Sequence, residues 1–227
     1  IDIFTNKEFK SFWINNKDDF SDKDLKFITD NFVNSKSYHY VSKQWDMINI
    51  SHYKKLKDYG LSKYGSEIST QYFTFVNYTN EHIENLYKNL SNTSMSDLNI
   101  SILKKQSGFD LKSSINYNFL CLLLFLNLKE TYLKEYLHKL NDETYTGFNF
   151  PYLQIENFKI STDKVISLFD FDKINRFEDL NGKIILEIGS GSGRLSECIQ
   201  SIVNVQKYII CDIPPALYVA FKRMKIA

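Results

Sequence analysis

The chain of 227 residues has little cysteine, no excess of either charge and no long apolar run. Its 28 basic and 27 acidic residues give a formal net charge of +1, which creates no field to attract nucleic acid or an anionic membrane. The three cysteines have no paired spacing, so we expect free thiols and a reducing, cytoplasmic location. The longest apolar run, residues 119–126, is far shorter than the roughly 20 residues of a membrane span, and no span is expected.

Glycine is scarce as well, with eight residues, yet three of them alternate in one short stretch at Gly189, Gly191 and Gly193. The apolar run before them, residues 184–188, predicts a fully buried parallel strand, and the residues after them predict a helix. Glycine accepts positive φ and lets a ligand come close, while the first amides of the helix point at that ligand. The pattern predicts a ligand site; the alternative is a plain strand-to-helix turn that needs glycine for steric reasons.

The spacing of these glycines bears on the kind of ligand. A dinucleotide fingerprint requires G-x-G-x-x-G, and its third glycine would fall where the chain has Arg194. A second strand, residues 208–211, ends at Asp212, where a carboxylate can bind the two hydroxyls of a ribose. The alternative role of Asp212 is to cap the helix that begins near Pro214. The two strands predict an α/β fold whose ligand contains a ribose.

The run E-x-G-x-G-x-G, from Glu187 to Gly193, resembles motif I of the Rossmann-type S-adenosylmethionine-dependent methyltransferases. Residues 147–221 also resemble the sugar O-methyltransferases of bacterial surface-glycan clusters, through G-F-N-F-P-Y, a hairpin, K-I-S-T-D, L-E-I-G-S-G-S-G-R-L and Y-I-I-C-D-I-P-P-A-L-Y-V-A, in that order. The resemblance implies S-adenosylmethionine as cofactor and methyl transfer to a sugar hydroxyl of a small-molecule or glycan acceptor. It also implies more strands than the two recognised here, so we expect the methyltransferase domain to be truncated at its C-terminus.

The resemblance also implies which residues bind the cofactor: Glu187, Gly189, Ser190, Gly191, Gly193, Asp212 and Ile213. The glycines would form the turn under the methionine part, with Glu187 reaching its amino end. Asp212 would bind the ribose, and Ile213 would lie against the adenine. Alternatives stay open, since Glu187 can bond local backbone amides and Ile213 can belong to the core. Arg194 either meets a carboxylate or is exposed.

No catalytic residue and no metal ligand is assigned from the sequence. Methyl transfer to a hydroxyl needs a base, or a metal that lowers the pKa of the hydroxyl. Asp163, in I-S-T-D, is a candidate near the site, although the favoured alternative is a helix cap or first-turn acid. The triplet from Tyr38 to Tyr40 is considered for substrate contact. The histidines have no metal-ligand spacing, and solvated or core positions are expected for all four: His39, His52, His82 and His138.

Two regions are predicted, a mostly helical one over residues 1–144 and the start of the methyltransferase sheet over residues 145–227. The helix over 114–127 is apolar nearly all round, so it is expected in the core. Periodicity, caps and turn residues predict the other elements: helices beginning at Thr5 and Ser21, helices over 43–59, 83–90, 97–104 and 128–140, a strand over 72–76, a hairpin over 152–161, and a helix capped by Ser161 or Thr162.

Two other functions stay open. The chain can be a non-catalytic binding or assembly module whose incomplete nucleotide fold serves as an interface. A nicotinamide-dependent oxidoreductase is the other alternative, and it is disfavoured by Arg194 at the place of the third fingerprint glycine. Neither the acceptor sugar nor the oligomeric state follows from the sequence.

Overall fold

A computed structural model describes residues 8–63, 81, 105, 110–139, 151–155 and 157–226 of the chain. Its elements, numbered along the described residues, are the helices α1 Glu8–Asn16, α2 Lys23–Asn34, α3 Lys43–Tyr59, α4 Leu111–Lys129, α5 Thr162–Phe177, α6 Arg194–Ile202 and α7 Pro214–Ile226, and the strands β1 Leu153–Ile155, β2 Phe158–Ile160, β3 Ile184–Ile188 and β4 Lys207–Cys211. Short 3-10 helices cover Lys17–Asp19, Lys36–Tyr40, Leu61–Lys63 and Tyr132–Lys139. The described part is a mixed α/β protein that is mostly helical and has small sheets.

Helices α1 to α3 pack around an aromatic core. Phe9, Trp13 and Tyr53 are buried there, and the ring centroid of Tyr53 lies 5.2 Å from that of Phe9 and 5.3 Å from that of Trp13. Large rings at these distances contribute more than the burial of their area alone. The apolar residues whose spacing predicts α1 therefore form the face of this helix that packs against α3.

The ends of these helices follow local signals. The prediction for α3 is confirmed, including its end at Gly60, where φ is 71°. The predicted start of α2 at Ser21 is wrong by one residue, because the carboxylate of Asp22 accepts the first backbone N–H groups of the helix. Thr5, the predicted cap of α1, lies outside the described residues.

Helix α4 confirms the predicted core helix. Every side chain from Cys121 to Leu126 is buried, and the helix packs against α5 and β1. Among the described helices, it is the one with the length and apolar composition of a membrane span, but 56% of its apolar window is buried inside the protein. Burial of this kind is typical of the central helix of a packed core.

The chain does not continue as one α-helix over residues 128–140, and that prediction is wrong. Thr131 Oγ1 donates to the carbonyl of Leu128 at 2.8 Å and accepts the N–H of Leu133 at 3.2 Å. Such local side-chain bonds compete with the hydrogen bonds of an α-helix. A turn at this threonine is therefore followed by the separate 3-10 helix Tyr132–Lys139.

The predicted hairpin is confirmed: β1 and β2 pair antiparallel, with Leu153 opposite Ile160. Helix α5 follows at once. Its cap is Ser161, the first of the two predicted candidates, because Ser161 Oγ accepts the N–H of Lys164 at 3.3 Å.

Replacing this cap gives a first test of the fold. We expect Ser161→Ala to lower the free energy of unfolding by about 1 kcal/mol, because α5 loses its side-chain acceptor. Urea unfolding followed by circular dichroism measures the loss. Ser161→Asn keeps an acceptor and serves as the control. Equal stability of Ser161→Ala and the unchanged chain would contradict the assigned cap.

Strands β3 and β4 pair in parallel, from Ile184 opposite Lys207 to Ile188 opposite Cys211, and α6 connects them. Both strands and the connecting helix were expected. Two parallel strands joined by a helix occur in several α/β architectures. The described part therefore establishes the α/β class and no finer fold.

The predicted full burial of β3 is wrong. Ile184, Leu186 and Ile188 are 60%, 58% and 80% exposed, whereas Ile185 between them packs against the core. Successive side chains of a strand point to opposite faces, so only one face of β3 is covered by the described elements. An apolar run cannot distinguish a strand covered on one face from a strand covered on both.

Buried side chains form two hydrophobic clusters. One contains α1 to α3 together with Tyr218 and Val219 of α7. The other contains α4, the hairpin, α5, α6 and one face of β3 and β4. Helix α7 also contacts α6, so it lies between the two clusters.

Several predictions fall on residues outside the described ranges. The strand over 72–76 and the helices over 83–90 and 97–104 are among them. The division at residue 144 stays a prediction, since residues 140–150 are also outside the described part.

Candidate functional site

The alternating glycines form a connection between β3 and α6, called here the glycine turn (residues 189–193). The φ angles of Gly189, Gly191 and Gly193 are 77°, 57° and 76°, a region that residues with a Cβ rarely adopt. The N–H of Gly189 donates to the carbonyl of Cys211 at 2.8 Å. The turn therefore begins where both parallel strands end, which is the edge at which α/β proteins bind ligands.

The surroundings of the first and third glycines differ. Among the described residues, a Cβ at Gly189 would meet nothing within 4 Å, so there is space beside the start of the turn. A Cβ at Gly193 would lie 2.9 Å from the Cβ of Ala220 in α7. Gly193 thus permits the close approach of a helix, while the space at Gly189 is free for a ligand.

The structure brings Asp212 directly against the glycine turn. Its Oδ2 accepts the N–H of Gly191 at 2.6 Å, and its Oδ1 accepts the N–H of Ile213 at 2.7 Å. Burial raises the pKa of Asp212, and these two hydrogen bonds oppose the rise. The Ile213 amide lies directly before α7, so Asp212 also contacts the chain at the start of that helix, and the two roles considered for it do not exclude each other.

Glu187 lies on the covered face of β3, one residue before the last of the strand. Its Oε2 accepts the hydroxyl of Tyr208 at 3.1 Å, so its partner is a side chain of β4 and not the local backbone. Burial raises the pKa of Glu187 above its ordinary value, although the hydrogen bond from Tyr208 and the charge of Arg194 oppose this rise. Nothing in the sequence singled out Tyr208.

Arg194, the first residue of α6, is partly buried and paired within the protein. Its guanidinium donates to Asp170 at 3.0 Å and to the hydroxyl of Ser167 at 3.0 Å. Both partners belong to α5, which packs along α6. The exposed alternative is wrong, because the side chain is 28% exposed and paired with Asp170, and contact with a carboxylate of a ligand stays a prediction.

Asp163 is 4% exposed, near the start of α5. Ser161 caps the helix, so the cap part of the alternative is wrong, whereas its other part is confirmed, because Asp163 is an acid in the first turn of α5. Burial raises the pKa of Asp163 to about 7, and the charge of Arg194 opposes this rise.

The two serines of the turn differ. Ser192 Oγ accepts a hydrogen bond from Arg223 Nη1 at 3.1 Å. Ser190 Oγ is buried and, in the part of the chain that the structure describes, has no hydrogen-bond partner. A buried polar atom without a partner is uncommon in folded proteins and favours a ligand or water at this position.

Other sequence candidates lie away from the turn. Tyr38 is buried among α1 to α3 and its hydroxyl donates to Asp46 at 2.8 Å, so it belongs to the helical core. Burial lowers the pKa of His52 to about 4, and the charge of Lys55 adds to this effect. His138 is exposed, and His82 lies outside the described ranges. Among the described residues, no group of three or more His, Cys, Asp or Glu side chains is arranged to hold a metal ion.

Sequence reasoning missed the support behind the turn. Arg223 of α7 is 5% exposed and donates through Nε to Glu197 of α6 at 2.5 Å, besides its bond to Ser192. An arginine on a helix ordinarily indicates a solvated face. No local pattern could have revealed this partner in α6.

Comparison with known proteins found no match for the chain, neither among family models nor among curated proteins nor among solved structures.

Proposed function

We propose that this chain carries the cofactor-binding part of an S-adenosylmethionine-dependent methyltransferase, a cytoplasmic enzyme with a Rossmann-type sheet that methylates a sugar hydroxyl. The observation that carries the proposal is the contact of Asp212 with the Gly191 amide, at the carboxyl ends of β3 and β4. It joins the two motifs of the sequence resemblance in one site, although they are 21 residues apart.

The hydrogen bond that the Gly191 amide donates to Asp212 favours S-adenosylmethionine over a dinucleotide as ligand. In a dinucleotide site, amides of the glycine-rich turn face a pyrophosphate. Here the N–H of Gly191 donates to the carboxylate of Asp212, so a pyrophosphate would lose a donor and meet a negative charge. This geometry supports the preference over a nicotinamide-dependent oxidoreductase.

The charges around the turn support a cationic ligand. Glu187, Asp212 and Asp163 are carboxyl groups whose pKa is raised by burial, and Arg194 is already paired with Asp170. A cation beside buried carboxylates favours their ionised form. S-adenosylmethionine carries an ammonium and a sulfonium against one carboxylate, so its net charge complements such a site.

Three residues of the candidate site then have defined tasks in binding the cofactor. A carboxylate has about four acceptor positions, and Asp212 uses one on each oxygen for backbone amides, which leaves acceptors for a ribose diol. Tyr208 holds Glu187 through one carboxylate oxygen, which leaves acceptor positions for hydrogen bonds from the ammonium group of the ligand. The space beside Gly189 can hold the methionine part of the ligand.

S-adenosylmethionine supplies an electrophilic methyl group that a hydroxyl oxygen displaces in line from sulfur. The protein contributes alignment, since the reaction requires the oxygen, the carbon and the sulfur to be collinear. The glycine turn is suited to this task, because Asp212 and Arg223 hold it from two sides.

Calorimetric titration of the 227-residue chain with S-adenosylhomocysteine and with NAD tests the proposal. We expect S-adenosylhomocysteine to bind and NAD to bind more weakly. Tighter binding of NAD would favour the oxidoreductase, and no binding of either would favour the non-catalytic binding or assembly module.

Asp212→Ala is expected to weaken binding of S-adenosylhomocysteine by about 1 to 3 kcal/mol, because charged hydrogen bonds to the ribose are lost. The matched control is Asp179→Ala, which removes an exposed aspartate that accepts the N–H of Asn181 in another turn. The control variant should bind as the unchanged chain does. Unchanged affinity of Asp212→Ala would remove Asp212 from the site.

A further inference from the structure

Helix α7 lies between the glycine turn and the helical region, defined here as residues 8–63. On the side of the helical region, the Tyr218 hydroxyl donates to Asp22 at 2.9 Å. Lys222 Nζ lies 2.9 Å from a carboxylate oxygen of Asp22 and 2.7 Å from one of Asp24. Because Asp22 caps α2, these contacts tie α7 to the start of that helix.

The same side of α7 also shares the apolar core of the helical region. Tyr218 and Val219 are buried together with Phe9, Trp13 and Tyr53. Polar and apolar contacts therefore act together, and the position of α7 depends on how it packs against residues nearly 200 positions earlier in the chain.

On its other side, α7 supports the glycine turn. Ala220 lies directly under Gly193, at the distance where a Cβ on that glycine would overlap. Arg223 holds both the hydroxyl and the carbonyl of Ser192, at 3.1 and 3.4 Å, and pairs with Glu197 of α6. The turn cannot shift toward α7, and its Ser192 end cannot move away without breaking buried charged hydrogen bonds.

We propose that α7 transmits the packing of the helical region to the glycine turn, with Arg223 as the positioning residue. Cofactor affinity then depends on Lys222 and Tyr218, which contact the helical region and not the turn. This gives the helical region a task in cofactor binding that its sequence does not indicate. The inference rests on the proposed function only for the identity of the ligand.

The test compares two lysine variants with equal change of charge. Lys222→Met breaks the contacts between α7 and α2, whereas Lys57→Met breaks an ion pair with Asp19 (2.6 Å) inside the helical region. We expect Lys222→Met to weaken binding of S-adenosylhomocysteine about three- to tenfold, and Lys57→Met to leave it unchanged. Arg223→Lys retains the charge, but a lysine cannot donate hydrogen bonds to Ser192 and Glu197 in the geometry of the guanidinium. This variant should therefore lose at least as much affinity as Lys222→Met.

A second readout needs no ligand. Amide hydrogen exchange at Gly193, whose N–H donates to the carbonyl of Ser190, reports the order of the turn in the ligand-free protein. We expect faster exchange in Lys222→Met and Arg223→Lys than in Lys57→Met, under conditions where urea unfolding shows all three to be fully folded.

The outcomes separate the two proposals. If the unchanged chain does not bind S-adenosylhomocysteine, the proposed function fails, and the exchange at Gly193 alone decides the inference. If Lys222→Met keeps both the affinity and the exchange rate of Lys57→Met, the inference is overturned while the proposed function stands. A purely structural role of α7 would lower the free energy of unfolding without changing either readout.

Discussion

Gly193→Ala is expected to lower the free energy of unfolding by roughly 2 to 5 kcal/mol, which is one of the two largest effects that the structure implies. Two costs add at this position. A residue with a Cβ at φ 76° is strained by about 1 to 2 kcal/mol. The new methyl group would also lie 2.9 Å from the Cβ of Ala220, which overpacks the contact between α7 and the turn.

Another glycine of the chain isolates the second cost. Gly182 has a similar φ of 69°, but a Cβ there would meet no atom of the described part of the chain within 4 Å. Gly182→Ala should therefore lose only the backbone part, about 1 to 2 kcal/mol. Urea unfolding of both variants measures the difference, and Ala220→Gly in the Gly193→Ala background should recover part of it. Equal losses at the two glycines would contradict the close packing of α7 against the turn.

Asp163→Asn is expected to stabilise the protein at pH 8, by up to about 4 kcal/mol. The reason is that the pKa of the buried carboxyl is about 7 in the folded protein against an ordinary value of 3.8. A folded-state pKa above that of the unfolded chain means that the protonated carboxyl contributes stability below pH 3.8. This contribution is lost as the pH rises through about 7, where the buried group must ionise.

The expected signature is a pH profile. The unchanged chain should lose stability between about pH 4 and pH 7 relative to Asp163→Asn, and the two should differ little at pH 3. Urea unfolding across this range measures the difference. Asp179→Asn is the control, because the hydrogen bonds from Asn181 lower the pKa of this exposed carboxyl and give the opposite sign. A less stable Asp163→Asn variant at pH 8 would show that the folded protein favours the ionised carboxylate.

A carboxyl that lowers stability at neutral pH is typical of a functional site. Asp163 shares the neighbourhood of Arg194 with Glu187, which lies at the candidate site. The proposed function gives this cost a reason, since a cationic ligand would compensate the buried negative charge.

Local features of the fold were largely predictable. The end of α3 at Gly60, the cap of α5, the hairpin, the core helix α4 and the two strands with their glycine turn all follow signals within a few residues of one another. The failures have equally local causes. Thr131 forms hydrogen bonds with the backbone of Leu128 and Leu133 and so interrupts a helix whose apolar spacing continues. At the start of α2, Asp22 and not Ser21 is the cap.

Burial was the least predictable property. The apolar residues of β3 indicated burial on both faces, yet Ile188 is 80% exposed. Asp163 is the first-turn acid that its pattern indicated, but the pattern did not show that this side chain is buried. Burial depends on which distant elements pack against a residue, and periodicity carries no information about them.

The sequence by itself determined the positions of turns, of most helix ends and of the strands. It also determined the residues of the candidate site: three glycines, an acid before them and an acid after the next strand. These features depend on φ preferences and hydrogen bonds between neighbours in the chain. Only the tertiary structure decided that Arg194 is bound to Ser167, 27 residues away, and that Tyr218 meets Asp22 across 196 residues. Such partners are set by the packing of whole helices, and for this reason the support of the glycine turn by α7 became visible only in the folded chain.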